Sequence, residues 1–371
     1  MISSPWFVDE LQRRGVSMYA GVPCSYLSSL IDEVIARPSS HYVAASSEGE
    51  ALSLVSGAWL GGRLGAVLCQ NSGLGNMVSP LTSLNAIFRI PALLLVTHRG
   101  RPGEKDEPQH ELMGRKTGAL LDAMEVPWAV LPKNQAEAER ALDVAFSALR
   151  ETAKPYALMV EKDSFSAGPA PAGLPPDAGV PLSREQALGI FIKCTPAGAA
   201  VIATTGKTGR ELYTLNDRCA HLYCVGSMGY ANALAHGLAL ARPDCTTYVL
   251  DGDGAALMHL GNLATIGALA SPNLVHVILD NGQYDSTGGQ RTVSASVDFC
   301  RTALALGYRH AVGCVSGDEF SAALRASVAG PTLIHVRIRP GSMAMLGRPT
   351  ITPADVARRL QASLAISSEA S

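Results

Sequence analysis

A chain of 371 residues with 47% hydrophobic and 5% aromatic residues is long for one domain and suits two, with cores built from Ala, Val and Leu. A formal net charge of −2 argues against a nucleic-acid or anionic-membrane partner, and the longest apolar runs, such as Pro91-Ala-Leu-Leu-Leu-Val96, are strand length rather than membrane length. Met1-Ile-Ser-Ser-Pro5 lacks the basic and apolar regions of a secretory signal, and eight Cys with no C-x-x-C pair read as buried thiols of a reducing cytoplasm.

In chain order, the first half predicts strands near Met18–Ala20, Tyr42–Ala44, Gly65–Cys69, Ala92–Val96, Ala129–Leu131 and Tyr156–Val160. Gly21-Val-Pro23 follows the first of these. Glu48 lies just before a helix whose Gly57 is expected to allow close packing, and Gln70-Asn-Ser-Gly-Leu-Gly-Asn76 follows the third strand. Residues 166–182, rich in Pro, Gly and Ala, hold neither a helix nor a central strand and read as a linker. Ser183-Arg-Glu-Gln186 then has the form of a capping box opening the next helix.

The second half predicts strands near Ala200–Ala203, Leu222–Val225, Thr246–Leu250, Val275–Leu279 and Thr332–Val336. Between the third and fourth, Ala255 to Leu269 reads as one helix with apolar residues at Leu257, Leu260, Leu263 and Ile266. A terminal helix is expected over 349–365, with Thr352 as its cap and Pro353 in its first turn. Each half alternates short strands with helices, so both are α/β, doubly wound parallel sheets. Their similar sizes suggest an old duplication, although no direct sequence repeat is visible.

Gly252-Asp253-Gly254 at the end of one strand and Asp280-Asn281 at the end of the next fall on the same edge of a parallel sheet, where open α/β sheets bind ligands. A carboxylate and an amide oxygen beside a helix N-terminus make a hard-cation site suited to Mg²⁺ and a diphosphate. Three other motifs fail. A dinucleotide fingerprint needs Gly where Leu257 or Val78 stands, a P-loop ending at Gly206-Lys207-Thr208 needs Gly at Val201, and His110-Glu111 lacks a second His at Gly114. The bland alternative is a plain strand-to-helix turn with an Asp cap.

Gly-Asp-Gly followed after about two dozen residues by Asn resembles the thiamine diphosphate signature. With Gly21-Val-Pro23, Glu48 and the Gln70–Asn76 loop in order before it, the chain resembles thiamine diphosphate enzymes of the decarboxylase group. The resemblance implies a pyrimidine-binding domain over 1–165 and a diphosphate-binding domain over 183–371. The larger members carry a central domain where this chain has its Pro-rich segment. The short form is similar to the phosphonopyruvate and sulfopyruvate decarboxylases. Gly21-Val-Pro-Cys-Ser25, Lys105-Asp-Glu-Pro-Gln-His110, Thr205-Gly-Lys-Thr208, Asp285-Ser-Thr-Gly-Gly-Gln290 and Leu346-Gly-Arg-Pro-Thr350 all resemble the phosphonopyruvate branch.

The resemblance implies roles residue by residue. Glu48 is the carboxyl that shares a proton with the cofactor's pyrimidine nitrogen, with Glu50 as its local rival. Asp253, Asn281 and the backbone carbonyl of Gln283 are the Mg²⁺ ligands, joined by diphosphate oxygens and water. Asp280 stands where the family has a first Asn, a departure not expected to affect the metal. Gly21, Pro23, Asn71, Thr205, Gly206, Lys207, Ser227, Gly254 and Ala255 are implied cofactor contacts, with Met228 beneath the bent cofactor. Glu48 and Asp253 address opposite ends of one cofactor, so the family pattern implies a homodimer or homotetramer with sites at the subunit interface.

The implied reaction converts 3-phosphonopyruvate to phosphonoacetaldehyde and CO₂ within phosphonate natural-product and antibiotic synthesis. Ser25, Asn71, Arg99, Lys105, His110, Arg115 and Arg291 are candidates for the substrate's anionic groups. The larger pyruvate decarboxylases have an acid at the position of Ser25, which leaves His110 as the candidate for delivering the final proton. Three other readings compete: the same chemistry on 3-sulfopyruvate, the joining of two 2-oxo acids, and an inactive cofactor-binding subunit.

Overall fold

The computed structural model describes residues 1–166, 182–326 and 329–369, with side chains described through 365. The chain divides into two compact units, Met1–Gly173 and Leu174–Ser371. Residues 167–181, the greater part of the expected linker, lie outside the described residues.

The first unit holds six strands: β1 (Val16–Gly21), β2 (His41–Ala44), β3 (Leu64–Gln70), β4 (Leu93–Thr97), β5 (Trp128–Val130) and β6 (Tyr156–Val160). They form one sheet in the order β2-β1-β3-β4-β6-β5, every pairing parallel. The run of apolar residues in each central strand is divided by the pleat between two cores. Ala66, Leu68, Leu93, Leu95, Leu158 and Val160 enter one, and Val67, Cys69, Leu94, Val96, Ala157 and Met159 enter the other. Burial on both faces explains why these strands read as continuous rather than alternating hydrophobic runs.

The second unit holds β7 (Ala200–Ala203), β8 (His221–Tyr223), β9 (Thr247–Gly252), β10 (Leu274–Asp280), β11 (His310–Cys314) and β12 (Thr332–Arg337). Their order is β11-β12-β10-β9-β7-β8, again all parallel. Numbered within its own unit and read from the other edge, this is the strand order of the first sheet. The two-sheet α/β reading of the sequence holds, and the halves share one topology.

Several expectations need correction. Strand β11 was not anticipated: it is an edge strand, mostly exposed, and its His-Ala-Val-Gly-Cys sequence carries little apolar pattern. The stretch after β9 is two helices, Asp253–Met258 and Asn262–Leu269, rather than one. The break is held where the Asn262 amide donates to Gly229 O at 3.2 Å and to Asn232 Oδ1 at 2.8 Å. Gly57 is exposed with open space around it. The glycine of close approach is Gly49, where a Cβ would lie 2.7 Å from Asn76 O. Of the eight Cys only Cys24, Cys69 and Cys314 are buried; Cys219 is exposed and the others are half-buried.

Local end signals behave as expected. Ser183 and Gln186 form a reciprocal capping box on the helix Arg184–Cys194. The last helix begins at Pro353, not 349, with the Thr352 hydroxyl accepting from Asp355 N–H at 3.1 Å.

Candidate functional site

In each sheet the chain leaves the first strand toward one edge and returns on its other side, creating a switch point between β1 and β3 and between β7 and β9. In open α/β sheets ligands bind at the carboxyl edge beside such a switch point, because the connections after the neighbouring strands diverge there. Gly21 stands at the end of β1 because the neighbouring strand is too near for a side chain: a Cβ would lie 2.0 Å from Leu68 O. Pro23 follows, buried.

Glu48 is the first residue of the helix Glu48–Leu60 and is only 5% exposed. Its Oε2 accepts a 2.7 Å hydrogen bond from the Asn76 amide, and a Cβ on Gly73 would fall 2.3 Å from its Oε1. Burial raises the Glu48 pKa, opposed by the Asn76 hydrogen bond. Glu50, two residues on, is exposed and turns back to accept from Ser46 N–H at 2.8 Å. The two acids of that helix turn therefore differ in kind: Glu50 braces the helix start, while Glu48 is buried with a raised pKa.

The ends of β3 and β4 add polar groups to the same edge. Asn71 is fully buried; its amide donates to Arg99 O at 2.9 Å and Thr117 Oγ1 at 3.0 Å, while its Oδ1 has no partner. Arg99 lays Nε and Nη2 on the Asp106 carboxylate, at 2.7 and 2.5 Å, stacks over the Tyr26 ring at 4.8 Å, and reaches Ser25 Oγ with Nη1 at 3.4 Å. Asp106 also accepts from Gly100 N–H and Glu107 N–H, at 2.9 and 2.8 Å. Burial alone would raise its pKa, but the Arg99 and backbone hydrogen bonds outweigh it and hold the carboxyl well below the usual range. His110 is buried in the first turn of the helix Pro108–Ala123, where desolvation and then the Arg99 charge lower its pKa and favour the neutral ring. Lys105 and Arg115 stay exposed.

In the second unit, Thr205 and Gly206 lie between β7 and the helix Lys207–Leu215, which Lys207 opens. Gly206 has φ of +92°, a conformation that favours glycine, and it turns the chain into that helix. Thr205 Oγ1 donates to Val225 O at 3.0 Å, and Lys207 Nζ donates to Ser342 Oγ at 2.9 Å. Ser227, also at positive φ, and half-buried Met228 follow β8.

Asp253, Gly254 and Ala255 open the helix after β9, all buried. Gly254 has no room for a side chain, since a Cβ would lie 2.6 Å from the Tyr284 ring. Burial, followed by the charge of Asp280, pushes the Asp253 carboxyl up to about 7, against a hydrogen bond from the Thr292 hydroxyl. Asn281 Oδ1 accepts from Gln283 N–H at 3.1 Å, and Asn281 Nδ2 donates to Asp285. Asp280 is a buried hub, accepting from Gly282 N–H, Ser294 Oγ and His335 Nε2, each at 2.9 Å. Burial raises its pKa, but His335 and the other donors reverse the sign. Arg291 is exposed.

Asp253, Asn281 and the Gln283 backbone thus share the carboxyl edge of β9 and β10 as a hard-oxygen donor set. Among the described residues no cluster of three His, Cys, Asp or Glu accompanies it. Such a set suits a cation whose remaining ligands come from phosphate and water. Asn76 and Asp106 fall in motifs quoted from the sequence but carry no role there, and Thr117 and Thr292 are in none; only the fold shows what each one touches.

Residues 3–120 match the model of the thiamine pyrophosphate enzyme, N-terminal TPP binding domain, and residues 204–336 that of the C-terminal TPP binding domain. A phosphonopyruvate decarboxylase of Streptomyces viridochromogenes is 48% identical, covering 98% of this chain and 95% of its own length. One of Streptomyces hygroscopicus is 47% identical, over 97% of this chain and 94% of its own. A sulfopyruvate decarboxylase of Methanosarcina acetivorans is 27% identical, over 96% of each.

Proposed function

The chain belongs to the thiamine pyrophosphate enzyme family that includes the phosphonopyruvate decarboxylases, and from that premise we propose that it decarboxylates 3-phosphonopyruvate to phosphonoacetaldehyde and CO₂. The observation that carries this reading is near-full-length identity of 48% to a phosphonopyruvate decarboxylase, against 27% to a sulfopyruvate decarboxylase. Residues 1–165 act as the pyrimidine-binding domain, 166–182 as the linker and 183–371 as the diphosphate-binding domain.

Thiamine diphosphate, when bound, supplies the nucleophilic carbon and the electron sink for loss of CO₂. Glu48 holds the proton shared with its pyrimidine nitrogen; the raised pKa of a buried carboxyl is suited to that sharing. Asp253 Oδ, Asn281 Oδ1 and the Gln283 carbonyl would hold Mg²⁺, and the N-terminus of the helix Lys207–Leu215, which follows the Gly206 turn, would take the diphosphate. Gly21, Pro23, Asn71, Ser227, Met228, Gly254 and Ala255 would line the cofactor. Arg99, oriented by Asp106, offers Nη1 with Ser25 Oγ to a substrate anion, and Lys105 and Arg291 are further candidates for its charge. His110, neutral beside the Arg99 charge, relays the final proton: one ring nitrogen gives its N–H to the product as the other takes a proton from water.

Glu48 and Asp253 serve opposite ends of one cofactor from different units, and by the pattern of the resembled family the working form is a homodimer, or a homotetramer, with sites shared between subunits. The chain acts in the cytoplasm, in a route to phosphonate products. No helix among the described residues is long and apolar enough to cross a membrane.

The deciding experiment supplies purified protein, Mg²⁺ and thiamine diphosphate with phosphonopyruvate, sulfopyruvate or pyruvate, and measures aldehyde and CO₂. Release from phosphonopyruvate at the highest kcat/KM supports the assignment. Preference for sulfopyruvate transfers it to that substrate, and CO₂ without free aldehyde indicates carboligation.

A further inference from the structure

Behind Asn281 runs a chain of buried charge that no part of the reaction uses directly. Arg184 opens the first helix of the second unit, and its side chain is 6% exposed. Nη2 donates to Asp285 Oδ2 at 2.6 Å, and Nη1 donates to Glu211 Oε1 at 3.2 Å and Gly341 O at 2.9 Å. The same Asp285 oxygen accepts from Asn281 Nδ2 at 2.6 Å and Gly341 N–H at 3.3 Å, while Glu211 Oε1 accepts from Met343 N–H at 3.3 Å.

A carboxamide has two faces of similar shape and opposite hydrogen-bonding sense, so a metal-ligating Asn needs something to choose which one points at the cation. An ionised carboxylate only accepts, and therefore takes the amide nitrogen and never the oxygen. With Nδ2 on Asp285, Oδ1 is turned to the Gln283 side, where it accepts from Gln283 N–H at 3.1 Å. Asp285 is in turn held in place by the Arg184 fork, whose Nη2 donates to the same oxygen that takes the Asn281 amide. A buried triad of this kind is weak evidence for stability in itself, because desolvation offsets much of the attraction.

We propose that Arg184 and Asp285 are positioning residues for the metal site: together they fix the Asn281 carboxamide with its oxygen toward the cation. This rests on the Mg²⁺ reading of Asp253 and Asn281. It extends that site by two residues that touch neither the cation nor the substrate. Outer partners of this kind typically change metal affinity by about 10–100-fold when altered.

The test titrates Mg²⁺ calorimetrically into protein with thiamine diphosphate, beside thermal unfolding of each variant without metal. Asp285→Asn keeps the shape but offers a donor as well as an acceptor, so the Asn281 amide is free to turn over. Mg²⁺ affinity should then fall about 10–100-fold. The charge-swapped double variant Asn281→Asp/Asp285→Asn presents oxygen to the cation in either orientation, and should recover most of that loss. Arg184→Lys keeps the charge but cannot span three partners, and should weaken binding severalfold with little change in unfolding temperature. The proposal fails if folded Asp285→Asn binds Mg²⁺ within twofold of wild type, or if the swap recovers nothing. Should Asp285→Asn not fold, wild-type affinity in Arg184→Lys overturns it. Asp253→Ala separates the two levels: loss of Mg²⁺ binding there with none in Asp285→Asn sinks only the positioning role. Unchanged binding in Asp253→Ala sinks the Mg²⁺ reading and this inference with it.

Discussion

Gly73 and Glu48 meet across the carboxyl edge of the first sheet: a Cβ on Gly73 would lie 2.3 Å from Glu48 Oε1 and 2.5 Å from its Cγ. The glycine leaves the space in which the buried carboxyl stands. Gly73→Ala should displace the Glu48 side chain, the flexible partner, while the backbone stays. Misplacing a reacting group by about 1 Å costs on the order of 10²-fold in rate. We expect that loss in kcat with a cooperative thermal transition retained. Wild-type kcat in a folded variant would show that the carboxyl position is immaterial.

Glu48→Gln should keep fold and cofactor binding and lose most turnover. The amide matches the carboxyl in shape but cannot share the proton on the pyrimidine nitrogen. The loss expected for a positioned acid–base group is roughly 10²–10⁴-fold. Hydrogen–deuterium exchange at C2 of bound thiamine diphosphate reads the same step; exchange at the wild-type rate would remove Glu48 from it.

The Arg99–Asp106 pair gives a pH-dependent signature. Asp106 has a folded pKa below its unfolded one, so its contribution to stability is present above the unfolded value, about 3.9 for Asp, and is lost as pH falls through the folded value. Asp106→Asn should be less stable than wild type at pH 6, and the gap should close as the pH drops below about 4. Urea unfolding across pH 3–7 measures it. A gap independent of pH would mean that packing, not the ion pair, is responsible. With Arg99 no longer held, KM for the anionic substrate should rise more than kcat falls.

Inactive Glu48→Gln chains co-expressed with inactive Asp253→Ala chains should regain activity, because a mixed dimer has one site with both native residues. Random pairing makes about half the dimers mixed with one working site each, so roughly a quarter of wild-type activity is expected. Mixed dimers seen by mass spectrometry yet inactive would place both residues in one chain's site.

Much of this protein is written locally. The central strands announce themselves because burial on both faces demands unbroken apolar runs, and Ser183 with Gln186 closes its capping box within four residues. Glycines and acids at strand ends likewise mark the carboxyl edges, since parallel topology brings every such end to one side. What a residue meets across the fold is a different matter. Glu48 and Glu50 are near-equal acids in sequence, and only packing buries one and leaves the other bracing Ser46. Gly49, not Gly57, bears the close contact because Asn76 arrives from another helix. The helix after β9 breaks where Asn262 finds Asn232, and β11 becomes a strand by pairing with β12 despite a weak pattern of its own. Arg184 lies 101 residues from Asp285 in the chain, and their bond exists only because the second unit folds both onto one edge. Periodicity and capping are short-range properties that a sequence carries on its face; desolvation, charge pairing and steric exclusion depend on neighbours that only tertiary folding supplies.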